Sequence, residues 1–211
     1  MKTVYLVRHG ESTTNVGGPI LGAATPLTNN GRAQAVTVAE RCTRIPIDVI
    51  ISSTHVRARE TAEAVSAKVS KPIEFSDLFV EWDRGSHRIG RSVDDTQLKN
   101  EEKEIFEHLV EPGWRAADEE NFEDLNERAA SALTYLENRV ESSILVAGHG
   151  LFTRILVGRA VMGEDFTGRD CLHFLRAFKT ENTGISVLQF DSPSGAQRWN
   201  LVTWNDHAHL G

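Results

Sequence analysis

Two histidines and two arginines in this sequence follow short apolar runs, an arrangement that suits the binding of a phosphoryl group. In chain order these are Arg8 and His9 after residues 4–7, Arg57 one helical turn beyond residues 48–52, and His149 after residues 143–147. A guanidinium matches two phosphate oxygens at once, and each charge-assisted hydrogen bond contributes about 1.5–3 kcal/mol. A histidine has an ordinary pKa of about 6.5, which nearby arginines lower further, so it is a usable neutral nucleophile.

The apolar runs that precede these residues predict a sheet. Short runs rich in branched side chains are typical of buried strands, and open α/β sheets gather ligands beyond the carboxyl ends of their strands. The polar residues are therefore expected to meet at one rim. Two later segments of alternating hydrophobicity extend the sheet across a turn-rich stretch. The strands are predicted at residues 4–7, 48–52, 143–147, 184–190 and 199–204, with the turn at 191–195.

Amphipathic segments between the strands predict helices. Thr28 is placed to cap the first, which ends before Pro46, and Ser53 or Thr54 to cap the second. Further helices are predicted at residues 95–110, 122–140 and 150–161. This alternation predicts a three-layer α/β/α sandwich with a mostly parallel central sheet, and the lack of repeats or linkers predicts one domain over residues 1–211.

Residues 81–95 depart from this alternation. The segment holds Trp, Gly, Arg, His and Asp without a sustained apolar period, which favours a long functional loop. Its cationic residues Arg84, His87, Arg88 and Arg91 either bind a second anionic group of the substrate or are exposed loop charges. The sequence leaves both interpretations open.

The composition limits the partners and the compartment. A net charge of −7 in 211 residues argues against broad binding to nucleic acid or acidic membranes. Only two cysteines are present and no apolar stretch approaches the roughly 20 residues of a membrane span, so we expect a cytoplasmic protein. The expected partner is a small-molecule phosphomonoester. The sequence leaves open whether the chain forms a homodimer.

The ordered motifs resemble those of the histidine phosphatase superfamily, also called the phosphoglycerate-mutase-like family. Residues 6–12, Leu-Val-Arg-His-Gly-Glu-Ser, resemble its Arg-His-Gly motif. Later matches in the same order are Asn15, Pro26 to Thr28, Ser52 and Ser53 with Arg57 and Ala58, and Val146 to Gly150. The resemblance covers nearly the whole chain and implies the phosphoglycerate-mutase-like fold.

The resemblance also implies roles for single residues. His9 would become phosphorylated, Arg8, Arg57, His149 and Asn15 would hold the phosphate, and Glu81 would serve as general acid and base. The remaining positions expected around the substrate are Gly10, Leu21, Gly22 and Gly150. Glu81 could protonate the leaving oxygen and later activate water.

Departures from the family pattern favour hydrolysis over mutase chemistry. The Arg- and Tyr-containing stretch that follows the acidic residue in cofactor-dependent phosphoglycerate mutases is missing after Glu81, and Leu21 cannot supply a hydroxyl to phosphate. We therefore expect a phosphoric monoester hydrolase of the histidine acid phosphatase type, without a cofactor. No clustered Cys/His spacing indicates a metal site. A phosphomutase and a catalytically silent phospho-ligand-binding module remain the alternatives.

Overall fold

A computed structural model describes residues 1–191 and 198–211 and contains one six-stranded sheet in that part of the chain. The strands are β1 (Lys2–Arg8), β2 (Val49–Ser52), β3 (Ile73–Phe75), β4 (Ser143–Gly148), β5 (Ile185–Asp191) and β6 (Arg198–Asp206). Their order across the sheet is β3-β2-β4-β1-β5-β6. The first four are parallel to one another, β5 is antiparallel to its neighbour β1, and β6 is antiparallel to β5. The predicted mostly parallel sheet is confirmed.

The parallel strands end at the same level, which brings the loops that follow them together. Ala147 of β4 pairs with Val7 of β1 on one side and with Ser52 of β2 on the other. The next residues along β1 and β4, Arg8 and Gly148, are also paired. Because parallel strands in register deliver their carboxyl ends to one rim, the segments after β1, β2 and β4 meet there.

Helices cover both faces of the sheet. They are α1 (Asn29–Cys42), α2 (Val56–Val69), α3 (Thr96–His108), α4 (Phe122–Glu137), α5 (Gly150–Met162) and α6 (Gly168–Ala177). Successive residues of β4 point to opposite faces. Leu145 and Ala147 pack in the apolar cluster that contains α1 and α2, and Ile144 and Val146 pack in the cluster that contains α4 and α5. The three-layer arrangement is therefore confirmed.

Several element predictions need correction. Thr28 caps α1 as predicted, since its side chain accepts a hydrogen bond from Gly31 N. Neither Ser53 nor Thr54 caps α2, because the cap position falls on His55, whose backbone N–H donates to Ser53 Oγ. Strand β3 and helix α6 were not predicted, and most of the predicted turn at 191–195 lies outside the described residues.

Among the described residues, no helix combines the length and the apolar content that crossing a bilayer requires. The single-domain organisation stays a prediction.

Gly31 lets the first turn of α1 pack directly on the loop after β1. A Cβ built on Gly31 would lie 1.9 Å from the carbonyl oxygen of Glu11, a backbone atom that cannot move away alone. We expect Gly31→Ala to lower the free energy of unfolding by about 1–3 kcal/mol, because the chain must shift to admit the methyl group. Urea unfolding measures this, with Thr37→Ala on the exposed face of α1 as the control. Equal stability of the two variants would contradict this packing.

Candidate active site

A cavity of about 610 Å³ opens at the rim where β1, β2 and β4 end. Its wall contains residues from the loop after β1, from the start of α2, from the 81–95 segment and from the start of α5. The predicted site residues that line it are Arg8, His9, Asn15, Gly22, Arg57, Glu81, Arg84, Arg88 and Gly150. The cavity therefore gathers most of the residues that the sequence had marked.

His9 lies at the bottom of this cavity as a neutral imidazole with a defined tautomer. It is only 3% exposed. Its Nδ1 lies 2.7 Å from the carbonyl oxygen of Gly10, so Nδ1 carries the proton and donates it. Arg57 Nε donates to His9 Nε2 at 3.1 Å, which requires a lone pair on Nε2. Burial first, and then Arg57 and Arg8, lower the pKa of His9 well below 6.5.

Three arginines line the cavity without a carboxylate partner within 4 Å in the described part of the chain. Arg57 Nη1 donates to the carbonyl oxygen of Gly22, and Arg8 Nη1 donates to that of Thr180. Arg8 Nε is buried and has no hydrogen-bond partner among the described residues. Arg154 donates to the carbonyl oxygens of Gly150 and Leu175. Buried cations without carboxylates are costly unless an anion binds them, so this end of the cavity is suited to phosphate.

His149 lies behind His9 and does not itself line the cavity. The two ring centroids are 5.2 Å apart, and His149 Nε2 lies 2.8 Å from Ser53 Oγ. Burial, followed by Arg57, lowers the pKa of His149 well below 6.5. Its Nδ1 has no hydrogen-bond partner in the described structure. His149 therefore supports the ring of His9, and direct contact with phosphate stays a prediction.

Glu81 lines the cavity, and its carboxylate also caps the N-terminus of α5. Its carboxylate accepts hydrogen bonds from Leu151 N at 3.2 Å and Phe152 N at 2.8 Å, two of the first N–H groups of the helix. Trp82 N donates to the same carboxylate at 3.0 Å. These three bonds hold the carboxylate beside the phosphate end, since α5 begins directly after His149.

Of the other residues predicted to contact substrate, some line the cavity and some lie outside its wall. Asn15 lines the cavity, and its Oδ1 accepts from Ser12 N. Gly10 and Leu21 do not line it. Gly10 instead packs on the first turn of α1, where an added Cβ would lie 2.3 Å from the oxygen of Gly31. Leu21 is 39% exposed at the surface.

The cationic residues of the 81–95 segment are held by carboxylates. Arg84 and Arg88 both contact Glu119 at 3.2–3.3 Å, and Arg84 Nη1 also lies 3.4 Å from Glu102 Oε1. Their interpretation as exposed loop charges is wrong, because both side chains are largely buried by this cluster. His87 is different: it lies outside the cavity wall and pairs with Glu101 at 3.1 Å.

Three residues near His9 were missed by the sequence interpretation. His55 lines the cavity with its ring centroid 5.0 Å from that of His149, and its place just after Ser53 could have marked it. Arg154, one turn into α5, could have been found in the same way. Asn182 Nδ2 donates to the backbone oxygen of His9 at 2.9 Å, a contact from a distant loop that no local pattern indicates.

No group of three or more His, Cys, Asp or Glu side chains within the described ranges is arranged to hold a metal ion.

Three histidines with lowered pKa values make stability depend on pH. Burial, followed by Arg57, lowers the pKa of His55 to about 4, and the pKa values of His9 and His149 also lie well below 6.5. Below about pH 6.5 these histidines bind protons in the unfolded chain but stay neutral in the folded protein. The folded state therefore becomes less stable relative to the unfolded state as the pH falls. We expect the free energy of unfolding to decrease between pH 7 and pH 5, by up to about 2 kcal/mol per histidine. Urea unfolding at both pH values measures the decrease. His55→Leu should reduce it, and an equal decrease in that variant would contradict the assignment.

Known proteins share sequence similarity with this chain over its whole length. The family model described as histidine phosphatase superfamily (branch 1) matches residues 4–207. A protein named "Probable phosphoglycerate mutase GpmB" from Salmonella arizonae is 33% identical over 215 residues, which cover 100% of this chain and 95% of that protein. A protein of the same name from Photorhabdus laumondii is 32% identical with the same coverage.

Solved structures share the fold. The structure of Bacillus stearothermophilus YhfR superposes with a TM-score of 0.83 over 100% of both chains at 25% identity. A mycobacterial glucosyl-3-phosphoglycerate phosphatase in complex with VO3 gives a TM-score of 0.79 over 97% of this chain and 99% of that chain. Its 19% identity supports likeness of fold alone. The family match over nearly the entire sequence and the shared fold lead to one conclusion: this chain belongs to the histidine phosphatase superfamily, branch 1.

Proposed function

We propose that this protein is a metal-independent phosphomonoesterase that works through a phosphohistidine intermediate on His9. The observation that carries the proposal is the neutral His9 ring, whose Nε2 lone pair faces Arg57 in a cavity where three arginines have no carboxylate partner within 4 Å among the described residues. Guanidinium groups stabilise the charge that spreads over phosphoryl oxygens in the transition state, so no metal ion is needed for that task. The substrate is a small-molecule phosphomonoester, and the two unpaired buried cysteines support a reducing, cytoplasmic location.

The first step transfers the phosphoryl group to the protein. When substrate binds, a phosphate oxygen accepts the hydrogen bond that Arg57 Nε otherwise donates to His9 Nε2. The lone pair on Nε2 is then available to attack phosphorus. The new N–P bond forms as the ester O–P bond breaks. The electron pair of the broken bond goes to the alcohol oxygen, which receives a proton from the carboxyl group of Glu81.

The second step regenerates the protein. Glu81, now a carboxylate, removes a proton from a water molecule, whose oxygen attacks phosphorus. The N–P bond breaks, its electron pair returns to Nε2 of His9, and inorganic phosphate leaves. The Nδ1–H bond to the Gly10 carbonyl keeps the ring in one orientation through both steps, because Nδ1 never loses its proton.

A phosphomutase is the second candidate, since the relatives that are 32–33% identical carry the name of a phosphoglycerate mutase. The two activities differ in the acceptor of the phosphoryl group. A phosphatase releases inorganic phosphate from p-nitrophenyl phosphate and from several alkyl phosphates without a primer. A mutase interconverts phosphoglycerates and is strongly stimulated by a bisphosphate. Primer-dependent interconversion that exceeds phosphate release would replace the proposed hydrolysis, and inactivity in both assays would indicate a binding module.

A further inference from the structure

The acidic charge of this protein is concentrated beside its cavity. Residues 83–120, which we call the outer segment, contain eleven acidic and six basic residues, a balance of −5 out of −7 for the whole chain. The outer segment contributes three carboxylates and three cations to the cavity wall: Asp83, Glu102, Asp118, Arg84, Arg88 and Lys99. The cavity therefore has a cationic part around His9 and a second part in which carboxylates and cations are mixed.

The arginines of the outer segment do not offset these carboxylates, because they already have partners. Arg84 and Arg88 share Glu119, which is 2% exposed, and Arg84 also contacts Glu102. The guanidinium of Arg84 further stacks on the ring of Trp82, 4.5 Å from its centroid. Two guanidiniums are thus matched by two carboxylates. The Nη2 atoms of both arginines have no hydrogen-bond partner among the described residues. A second anionic group of a substrate bound to these atoms is therefore the alternative that an experiment must separate from exclusion of such groups.

Two carboxylates that the outer segment contributes to the cavity wall have no cationic partner within 4 Å among the described residues. Asp83 accepts a hydrogen bond from Gly85 N, and Asp118 accepts from Ser86 N. Lys99, the lysine on this wall, places its ammonium 2.9 Å from Asp94. An anionic group of a substrate near Asp83 and Asp118 would be repelled, whereas an uncharged or cationic group would not.

The rest of this wall accepts uncharged groups. Its apolar side chains are Ile20, Val80, Ile89, Val93, Leu98 and Leu151. Such a surface favours an alcohol with carbon atoms to bury and no second charge of the same sign as phosphate.

We propose that this cavity selects phosphomonoesters whose alcohol part carries no anionic group, and that Asp83 and Asp118 exclude those that do. This inference rests on the proposed function and defines its substrate class. A phosphoglycerate, whose alcohol bears a carboxylate, is a poor ligand under this proposal, although relatives carry the name of a phosphoglycerate mutase.

A matched pair of esters tests the proposal. Glycerol 3-phosphate and 3-phosphoglycerate share a carbon skeleton and differ in a hydroxymethyl group against a carboxylate. Each is added as a competitor while the protein hydrolyses p-nitrophenyl phosphate, so binding is measured whether or not the competitor is turned over. We expect the inhibition constant of 3-phosphoglycerate to be at least about tenfold higher at low ionic strength. The ratio should shrink in high salt, because the discrimination is electrostatic.

Charge-neutral variants identify the residues responsible. The double variant Asp83→Asn, Asp118→Asn keeps an oxygen for the bonds from Gly85 N and Ser86 N and removes two charges. It should bring the two inhibition constants to within about threefold by improving the binding of 3-phosphoglycerate. Glu104→Gln is the control, since Glu104 is exposed on α3 and lies outside the cavity wall. It should leave the ratio of the wild-type protein unchanged.

Each outcome has a distinct meaning. Tighter binding of 3-phosphoglycerate than of glycerol 3-phosphate would overturn this inference and indicate a second anion site on Arg84 and Arg88, while leaving the proposed hydrolysis intact. A ratio that the double variant does not change would also overturn the role of Asp83 and Asp118. Failure to hydrolyse p-nitrophenyl phosphate at all would overturn the proposed function, and this inference with it.

Discussion

Replacing His9 by alanine should lower kcat for p-nitrophenyl phosphate by at least about 10⁴-fold, because the change removes the atom that forms the covalent bond. Arg57 Nε donates a hydrogen bond to Nε2 of this imidazole, and that nitrogen is unprotonated. The arginines would still bind phosphate in the variant. We therefore expect substrate and inorganic phosphate to bind, and turnover to be lost. Phosphate release under saturating substrate measures the change.

The loss must be separated from damage to the fold. His9 is buried, so the alanine variant leaves a cavity that lowers the free energy of unfolding. Urea unfolding of the variant should still give one cooperative transition. The control is His173→Ala, on the exposed face of α6, which should keep the activity of the wild-type protein. Turnover within about tenfold of wild type in a folded His9→Ala protein would refute the nucleophilic role of His9.

Replacing Glu81 by glutamine should lower kcat by about 10²–10⁴-fold for alkyl phosphates, because the amide cannot donate a proton to the leaving oxygen. The carbonyl oxygen of glutamine can replace Oε1, which accepts from Phe152 N and Trp82 N, whereas the amide NH2 group cannot replace Oε2, which accepts from Leu151 N. The effect should depend on the leaving group. p-Nitrophenolate leaves without protonation, so formation of the phosphohistidine from p-nitrophenyl phosphate should be slowed far less than from an alkyl phosphate.

A single-turnover comparison of the two esters provides the internal control for Glu81. Both esters use the same His9 and the same arginines, and they differ in their need for a proton. If Glu81→Gln slows phosphoryl transfer from both by the same factor, the carboxylate acts through the structure of α5 and not as an acid. Activity of Glu81→Gln equal to wild type on an alkyl phosphate would exclude both roles.

The central strands of the sheet could be predicted, because the local sequence pattern determines where they lie. The runs before Arg8, His149 and Ser52 are apolar on both faces, which is typical of central parallel strands. The short strand β3 has only three residues, so it lacks a measurable period, and its position comes from pairing with β2. Helix α6 was also not predicted, although Thr167 and Asp170 form a capping box at its start.

The candidate site could be predicted in part, because its core residues directly follow strands. Arg8, His9 and Arg57 meet for that reason. Contacts between distant segments could not be predicted. Glu119 neutralises Arg84 from 35 positions away, and Asn182 reaches the backbone of His9 from the loop before β5. Such contacts depend on how loops pack, which no local periodicity encodes.

Trapping the phosphorylated protein tests the central claim most directly. The protein is mixed with p-nitrophenyl phosphate, quenched within milliseconds in alkaline denaturant, in which phosphohistidine survives, and digested for mass spectrometry. We predict one phosphoryl group on the peptide that contains His9, located on that residue and absent from the His9→Ala variant. Phosphate on another residue, or continued turnover with no phosphorylated peptide at any quench time, would contradict the mechanism.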